Sequence, residues 1–118
     1  MQQSERKLGP SVRPGPEERA RLIALIEEAT VDAHDESEQA LGLYTMISEN
    51  LALPFKTKVL GRAVSVVEIE LGDDDRVLAI CEAGGSHQRI GILELALPTK
   101  RPAGAEWIDA YRLWRGAD

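Results

Sequence analysis

Apolar residues change their spacing at Pro54, and this change constrains the fold more than any other feature of the chain. Before Pro54 they recur at the spacing of helices that bury one face. After it they alternate or form short runs rich in β-branched residues, which is typical of strands. Proline cannot continue a helix, so it separates the two halves. The sequence therefore predicts an α+β protein whose first half is helical.

Two N-terminal helices are predicted before this border. Pro16, followed by two glutamates, indicates a helix start, because proline suits the first turn and acids complement the positive end of the helix dipole. The apolar stripe that follows predicts a helix over 16–29. A second stripe predicts another helix from about Asp35 until Pro54. The segment between them is predicted to be a kink or a short loop.

Four strand-like runs follow the border, over 55–60, 63–71, 76–82 and 88–93. Short Gly-rich connections favour an antiparallel meander of four to five strands. The alternation slips by one residue in the second run, which predicts a β-bulge near Val66. We expect the meander to curl into a small SH3-like barrel or half-barrel.

A short C-terminal helix is predicted over 104–115, where apolar and aromatic residues, including Trp107 and Trp114, form one stripe. Residues 1–15 lack periodicity and contain Pro-Gly breakers, so we expect a disordered tail there. The remaining chain, 16–118, has the usual size of one domain.

Composition excludes several classes of function. The net charge of -6 argues against nucleic-acid binding, and no segment approaches the ~20 apolar residues that span a membrane. Cys81 is the single cysteine, so no internal disulfide can form and we expect a cytoplasmic protein. His34 and His87 are the only histidines, and no activated nucleophile accompanies them, so we expect no enzyme.

An acidic segment between the two predicted helices is the strongest candidate for function. Residues 27–50 hold seven acids and neither Lys nor Arg. Ca²⁺ takes about six to eight oxygen ligands, so several carboxylates must converge to bind it. On a continuous helix Asp32, Asp35 and Glu36 would share one face with Gln39. The candidate Ca²⁺ ligands are Asp32, Asp35, Glu36 and Glu38.

The same residues also fit a purely structural interpretation. Asp35 and Glu38 have the spacing of a capping box, and an acidic face exposed to water needs no ion. Asp73, Asp74 and Asp75, with Glu70 nearby, fit either a second cation site or an ordinary turn. Neither acidic segment has the glycine and glutamate positions of an EF-hand loop. The residues alone leave both interpretations open.

Several short motifs stand in the order found in one known family. They are Val31-Asp32-Ala33, Glu36-x-Glu38-Gln39, Glu49-Asn50-Leu51, Leu53-Pro54-Phe55, Val59-Leu60-Gly61-Arg62, Ala79-Ile80-Cys81, Arg89-Ile90 and Glu106-Trp107-Ile108-Asp109-Ala110-Tyr111. In these motifs the chain resembles the small CcbP-like calcium-binding proteins first described from cyanobacteria. The resemblance implies a cytosolic, non-catalytic Ca²⁺ buffer or sensor without an EF-hand, using acidic side chains. The resemblance implies that the acidic segment as a whole binds Ca²⁺, and it does not identify the individual ligands.

A competing hypothesis is that the same fold serves as a protein-interaction module. A small SH3-like barrel can present a groove or an edge to a protein partner. The acidic segment would then be merely solvated. Neutralising the acidic residues separates the two hypotheses. A Ca²⁺ binder should lose its stabilisation by Ca²⁺, whereas an interaction module should keep its partner binding.

Overall fold

Helices from both ends of the chain pack on one antiparallel sheet in the computed structural model, which describes residues 14–116. The predicted α+β class, with a C-terminal helix, is confirmed. The tail predicted over 1–15 falls almost entirely on residues 1–13, outside the described part. Among the described residues, no helix has the length and apolarity needed to cross a bilayer.

The two N-terminal helices are α1 (Pro16–Ala29) and α2 (Glu36–Asn50). The bounds of α1 agree with the prediction, and its proline stands in the first turn as expected. The end predicted for α2 at Pro54 is wrong, because Leu51 already adopts an extended conformation with ψ 126° and ends the helix after Asn50.

The sheet consists of β1 (Phe55–Val59), β2 (Arg62–Leu71), β3 (Val77–Ala83) and β4 (Ser86–Gly91) in the order β1-β2-β3-β4. The predicted bulge is confirmed: Val66 pairs with Cys81 and Glu68 with Ile80, which leaves one extra residue in β2. The extra residue lets both Val66 and Ile69 lie buried against the helices.

After β4 a 3-10 turn, Ile92–Glu94, directs the chain back towards β1. There Ala96 forms an isolated antiparallel bridge with Lys58, and the Thr57 hydroxyl donates a hydrogen bond to the Ala96 carbonyl. A single bridge therefore stands where a fifth strand would lie. Closure into an SH3-like barrel stays a prediction.

The last element, α3 (Glu106–Arg115), completes the core. Its Trp107, Ile108 and Tyr111 are buried. The Tyr111 hydroxyl accepts a hydrogen bond from the Val77 backbone N–H across 3.1 Å, which ties α3 to the start of β3. Because α3 contacts both α1 and α2, it also holds the two N-terminal helices in place.

Candidate metal centre

The connection between α1 and α2 is a tight non-helical turn. Both the backbone N–H and the hydroxyl of Thr30 donate to the Ile26 carbonyl, at 3.0 and 2.8 Å, and end α1. Asp32 follows in the turn and is exposed. The single helical face expected for Asp32, Asp35 and Glu36 therefore does not form, and the short-loop alternative is correct. We call residues 27–38 the acidic junction.

The capping interpretation of Asp35 and Glu38 is confirmed by their hydrogen bonds. Asp35 Oδ1 accepts from the Glu38 backbone N–H at 2.8 Å. Glu38 Oε1 accepts from the His34 backbone N–H at 2.7 Å, one residue before the usual partner in a capping box. These bonds stabilise the start of α2 and engage one oxygen of each carboxylate. The other oxygen of each takes no part in them.

The two helix ends at the acidic junction differ in their electrostatics. Glu36 and Glu38 lie in the first turn of α2, where the positive end of the helix dipole favours them. Glu27 and Glu28 lie near the end of α1, where the dipole is negative, and the last turn of α1 contains no basic residue. Negative charge therefore accumulates at the end of α1 without a compensating base on that helix turn, and a bound cation would lower its repulsion.

Close packing positions the acidic junction on the rest of the protein. A Cβ atom built on Gly42 would lie 2.1 Å from the Ala29 carbonyl oxygen, so only glycine allows α2 to cross α1 this closely. In addition, the Trp114 indole N–H donates to Gln39 Oε1 at 2.9 Å. The helices that flank the junction are thus held by a backbone contact and by α3.

The carboxylates fit Ca²⁺ by their chemistry and are not gathered around a common point. Asp32, Asp35, Glu36 and Glu38 all offer oxygen ligands and are exposed. Within residues 14–116, however, no group of three or more His, Cys, Asp or Glu side chains lies close enough to hold a metal. Binding Ca²⁺ would therefore require these exposed side chains to converge on the ion.

The second acidic segment has the contacts of an ordinary turn. Gly72 N–H donates to the Arg76 carbonyl at 2.8 Å, and the Arg76 N–H donates to Asp74 Oδ1 at 3.2 Å. Glu70, which we expected near this turn, instead accepts from Arg89 Nε at 2.8 Å. That hydrogen bond raises the pKa of Arg89. The contacts around Asp73, Asp74 and Asp75 thus support the turn interpretation.

The family of the chain follows from a match of its sequence to a protein-family model of the CcbP type, described as calcium binding, over residues 24–115. The chain belongs to this calcium-binding family. The resemblance noted in the sequence is thereby confirmed. The match includes the last six residues of α1, the acidic junction, α2, all four strands and α3.

One solved structure supports the same assignment at the level of the fold. The crystal structure of Anabaena CcbP superposes with a TM-score of 0.68 at 20% identity, covering 92% of this chain and 98% of that chain. At this identity the likeness shows a common fold. No curated protein sequence matches the chain significantly.

Two residues that shape the acidic junction are not indicated by the sequence patterns. Helical spacing places Gln39 beside the carboxylates, but its hydrogen-bond partner Trp114 lies 75 positions away, and no local pattern connects the two. Gly42 interrupts an otherwise good helical sequence. An isolated glycine inside a helix is the signal that could have indicated a close helix crossing.

Proposed function

We propose that this protein is a non-enzymatic Ca²⁺ buffer or sensor of the cytosol that binds the ion at the acidic junction. The observation that carries the proposal is membership in a calcium-binding family, combined with seven acids and no base over residues 27–50. Carboxylates concentrated in this way favour a hard cation. The buried single thiol, Cys81, suits a reducing compartment.

The ligands we propose are Asp32, Asp35, Glu36 and Glu38. Asp35 and Glu38 are positioned by their capping hydrogen bonds, so each would add a carboxylate oxygen without disturbing α2. Asp32 and Glu36 lie on either side of the cap and are exposed, so they can turn towards the ion. Bringing them together costs side-chain entropy, which the ion must offset.

The direct test is calorimetric titration of the metal-stripped protein with Ca²⁺, with and without about 1 mM Mg²⁺, since sensor sites bind Ca²⁺ at roughly 10⁻⁷ to 10⁻⁵ M. The variant is Asp32→Asn with Glu36→Gln, because the side chains of these two residues make no capping bond. The matched control is Glu17→Gln with Glu18→Gln, which removes the same charge from the other end of α1.

We expect saturable binding in the wild type and the control, and loss of binding in the Asp32/Glu36 variant. Ca²⁺ at about 100 times its Kd should also raise the free energy of unfolding by about 2.7 kcal/mol. Absence of heat, together with an unchanged melting temperature in millimolar Ca²⁺, would contradict the proposal. Equal loss of binding in the control would mean that general charge, rather than the acidic junction, attracts the ion.

A further inference from the structure

Leu60, in the turn between β1 and β2, has an unfavourable backbone conformation and an exposed apolar side chain. Val59 pairs with Arg62, so Leu60 and Gly61 form a two-residue turn, with φ of 52° and 79°. Positive φ at both positions is the geometry that favours Asn and Gly, because a side chain with a Cβ is strained in it. The Leu60 side chain is also 97% exposed to solvent. Neither feature stabilises the fold.

The other hairpin of the sheet shows what the fold itself requires. Ala83 pairs with Ser86, and the turn between β3 and β4 consists of Gly84 and Gly85, with φ of 59° and 82°. The same kind of turn is therefore built from glycines at both positions. A leucine is not needed to connect two strands of this sheet, so Leu60 is available for another role.

Positive charge surrounds the exposed leucine. Lys56, Lys58 and Arg62 flank the turn, and no acid occurs between Asn50 and Glu68, in a chain of net charge -6. Lys58 and Arg62 belong to successive pairs of the ladder, so they extend from opposite faces of the hairpin. Within residues 14–116 none of the three basic side chains forms an ion pair. We call Lys56, Lys58, Leu60 and Arg62 the basic tip.

The chain also displays a surface of opposite character. Val31, which belongs to the acidic junction, is 77% exposed, and Leu41, three residues after Glu38 on α2, is 50% exposed. Gly42 lies close to Ala29 and Thr30, so the part of α2 that carries Leu41 packs beside the turn that carries Val31. An acidic surface that exposes apolar side chains thus complements a basic tip that exposes a leucine.

We propose that the basic tip of one molecule docks on the acidic junction of a second copy of this chain, in a head-to-tail contact. Leu60 packs against Val31 and Leu41, and the basic side chains lie against carboxylates such as Asp32. Since the three bases make no ion pair with the acids of the described residues, 14–116, we infer contacts between molecules for them. We choose a second copy over an anionic membrane because the region of the acidic junction exposes both carboxylates and apolar side chains, which match the charges and the leucine of the tip.

The contact needs no Ca²⁺, and a bound ion would compete with the basic side chains for the same carboxylates. Its test is therefore made in chelator, where its outcome is independent of the proposed function. Sedimentation velocity of the full chain is measured over a range of concentrations at about 20 mM and about 300 mM salt, because screening weakens exposed charge pairs. The variants are Leu60→Gly, which keeps a favourable turn, and Lys58→Glu. Lys100→Glu, at an exposed position outside the tip, is the matched charge control.

We expect concentration-dependent association at low salt that weakens at high salt. Leu60→Gly and Lys58→Glu should each weaken it by about tenfold or more, equivalent to about 1.4 kcal/mol or more, while Lys100→Glu leaves it near the wild-type level. Because an unfolded variant would also fail to associate, circular dichroism of each variant must show the native spectrum. A wild type that stays monomeric at low salt overturns the proposal, and so does unchanged association of Leu60→Gly. Co-sedimentation of a monomeric chain with phosphatidylserine vesicles, lost in Leu60→Gly, would assign the tip to a membrane surface and equally overturn it.

Discussion

Trp114 donates a hydrogen bond from its indole Nε1 to Gln39 Oε1 across 2.9 Å, and so joins the last helix of the chain to the first turns of α2. Gln39 directly follows the last carboxylate of the acidic junction. The Trp114 ring also stacks on Tyr111, with 6.1 Å between the ring centroids. A change at the junction that moves Gln39 therefore alters the environment of an aromatic ring in α3.

Trp114 should consequently report Ca²⁺ binding by its fluorescence. The chain has two tryptophans, so Trp107→Phe leaves Trp114 as the only source of tryptophan emission. We expect Ca²⁺ to shift the emission of this variant, because convergence of the carboxylates changes the hydrogen bond to Gln39. In Trp114→Phe the remaining Trp107, buried in the core, should respond little. A Ca²⁺ response carried by Trp107 alone would show that the junction does not act through Gln39.

Asp35 has both a structural and a proposed ligand role, and two substitutions separate them. Asp35→Ala removes the acceptor for the Glu38 N–H and should cost about 1 kcal/mol of unfolding free energy, measured with urea in chelator. Asp35→Asn keeps an acceptor oxygen, so it should cost less while still lowering Ca²⁺ affinity. Wild-type stability of Asp35→Ala would disprove the capping role, and unchanged affinity in Asp35→Asn would remove Asp35 from the ligands.

Gly42→Ala should lower the free energy of unfolding, although the same substitution inside a helix usually raises it. Glycine to alanine in a helix interior ordinarily stabilises by about 1 kcal/mol. Here the new Cβ would lie 2.1 Å from the Ala29 carbonyl oxygen, so we expect a loss of about 1–3 kcal/mol as α1 and α2 are forced apart. Ser48→Ala on the exposed side of the same helix should stay within about 0.5 kcal/mol of the wild type. Stabilisation by Gly42→Ala in chemical denaturation would contradict the close crossing.

Cys81 should be unreactive in the folded protein, because burial raises the pKa of its thiol and hides it from reagents. Thiol labelling at pH 8 should therefore be slow until denaturant is added. The unfolded chain loses this proton at about pH 8.5, before the folded chain does, so the contribution of Cys81 to stability is present below that pH and is lost above it. Cys81→Ala should not show this loss of stability at high pH. Rapid labelling of Cys81 in the native protein would contradict the prediction, because it would show that the core opens around the thiol.

Local signals in the sequence predicted most of the elements. Pro16 and the helical stripe located α1, because a helix start depends on residues within one turn. The slip in apolar alternation located the bulge at Val66, since each strand residue faces either the core or solvent. The spacing of Asp35 and Glu38 predicted the cap of α2, which is likewise a contact between near neighbours in the chain.

Contacts between distant residues were decided only by the tertiary structure. The hydrogen bond from Trp114 to Gln39 and the approach of Gly42 to Ala29 depend on how three helices settle on one sheet. Exposure of Leu60 likewise depends on what the rest of the fold leaves uncovered. The sequence by itself determined which residues carry the negative charge, since composition is local. The positions of those carboxylates relative to one another depend on the folded structure. The turn after α1 interrupts the helical face on which they would have been aligned, and the packing of α2 on α1 then sets their positions.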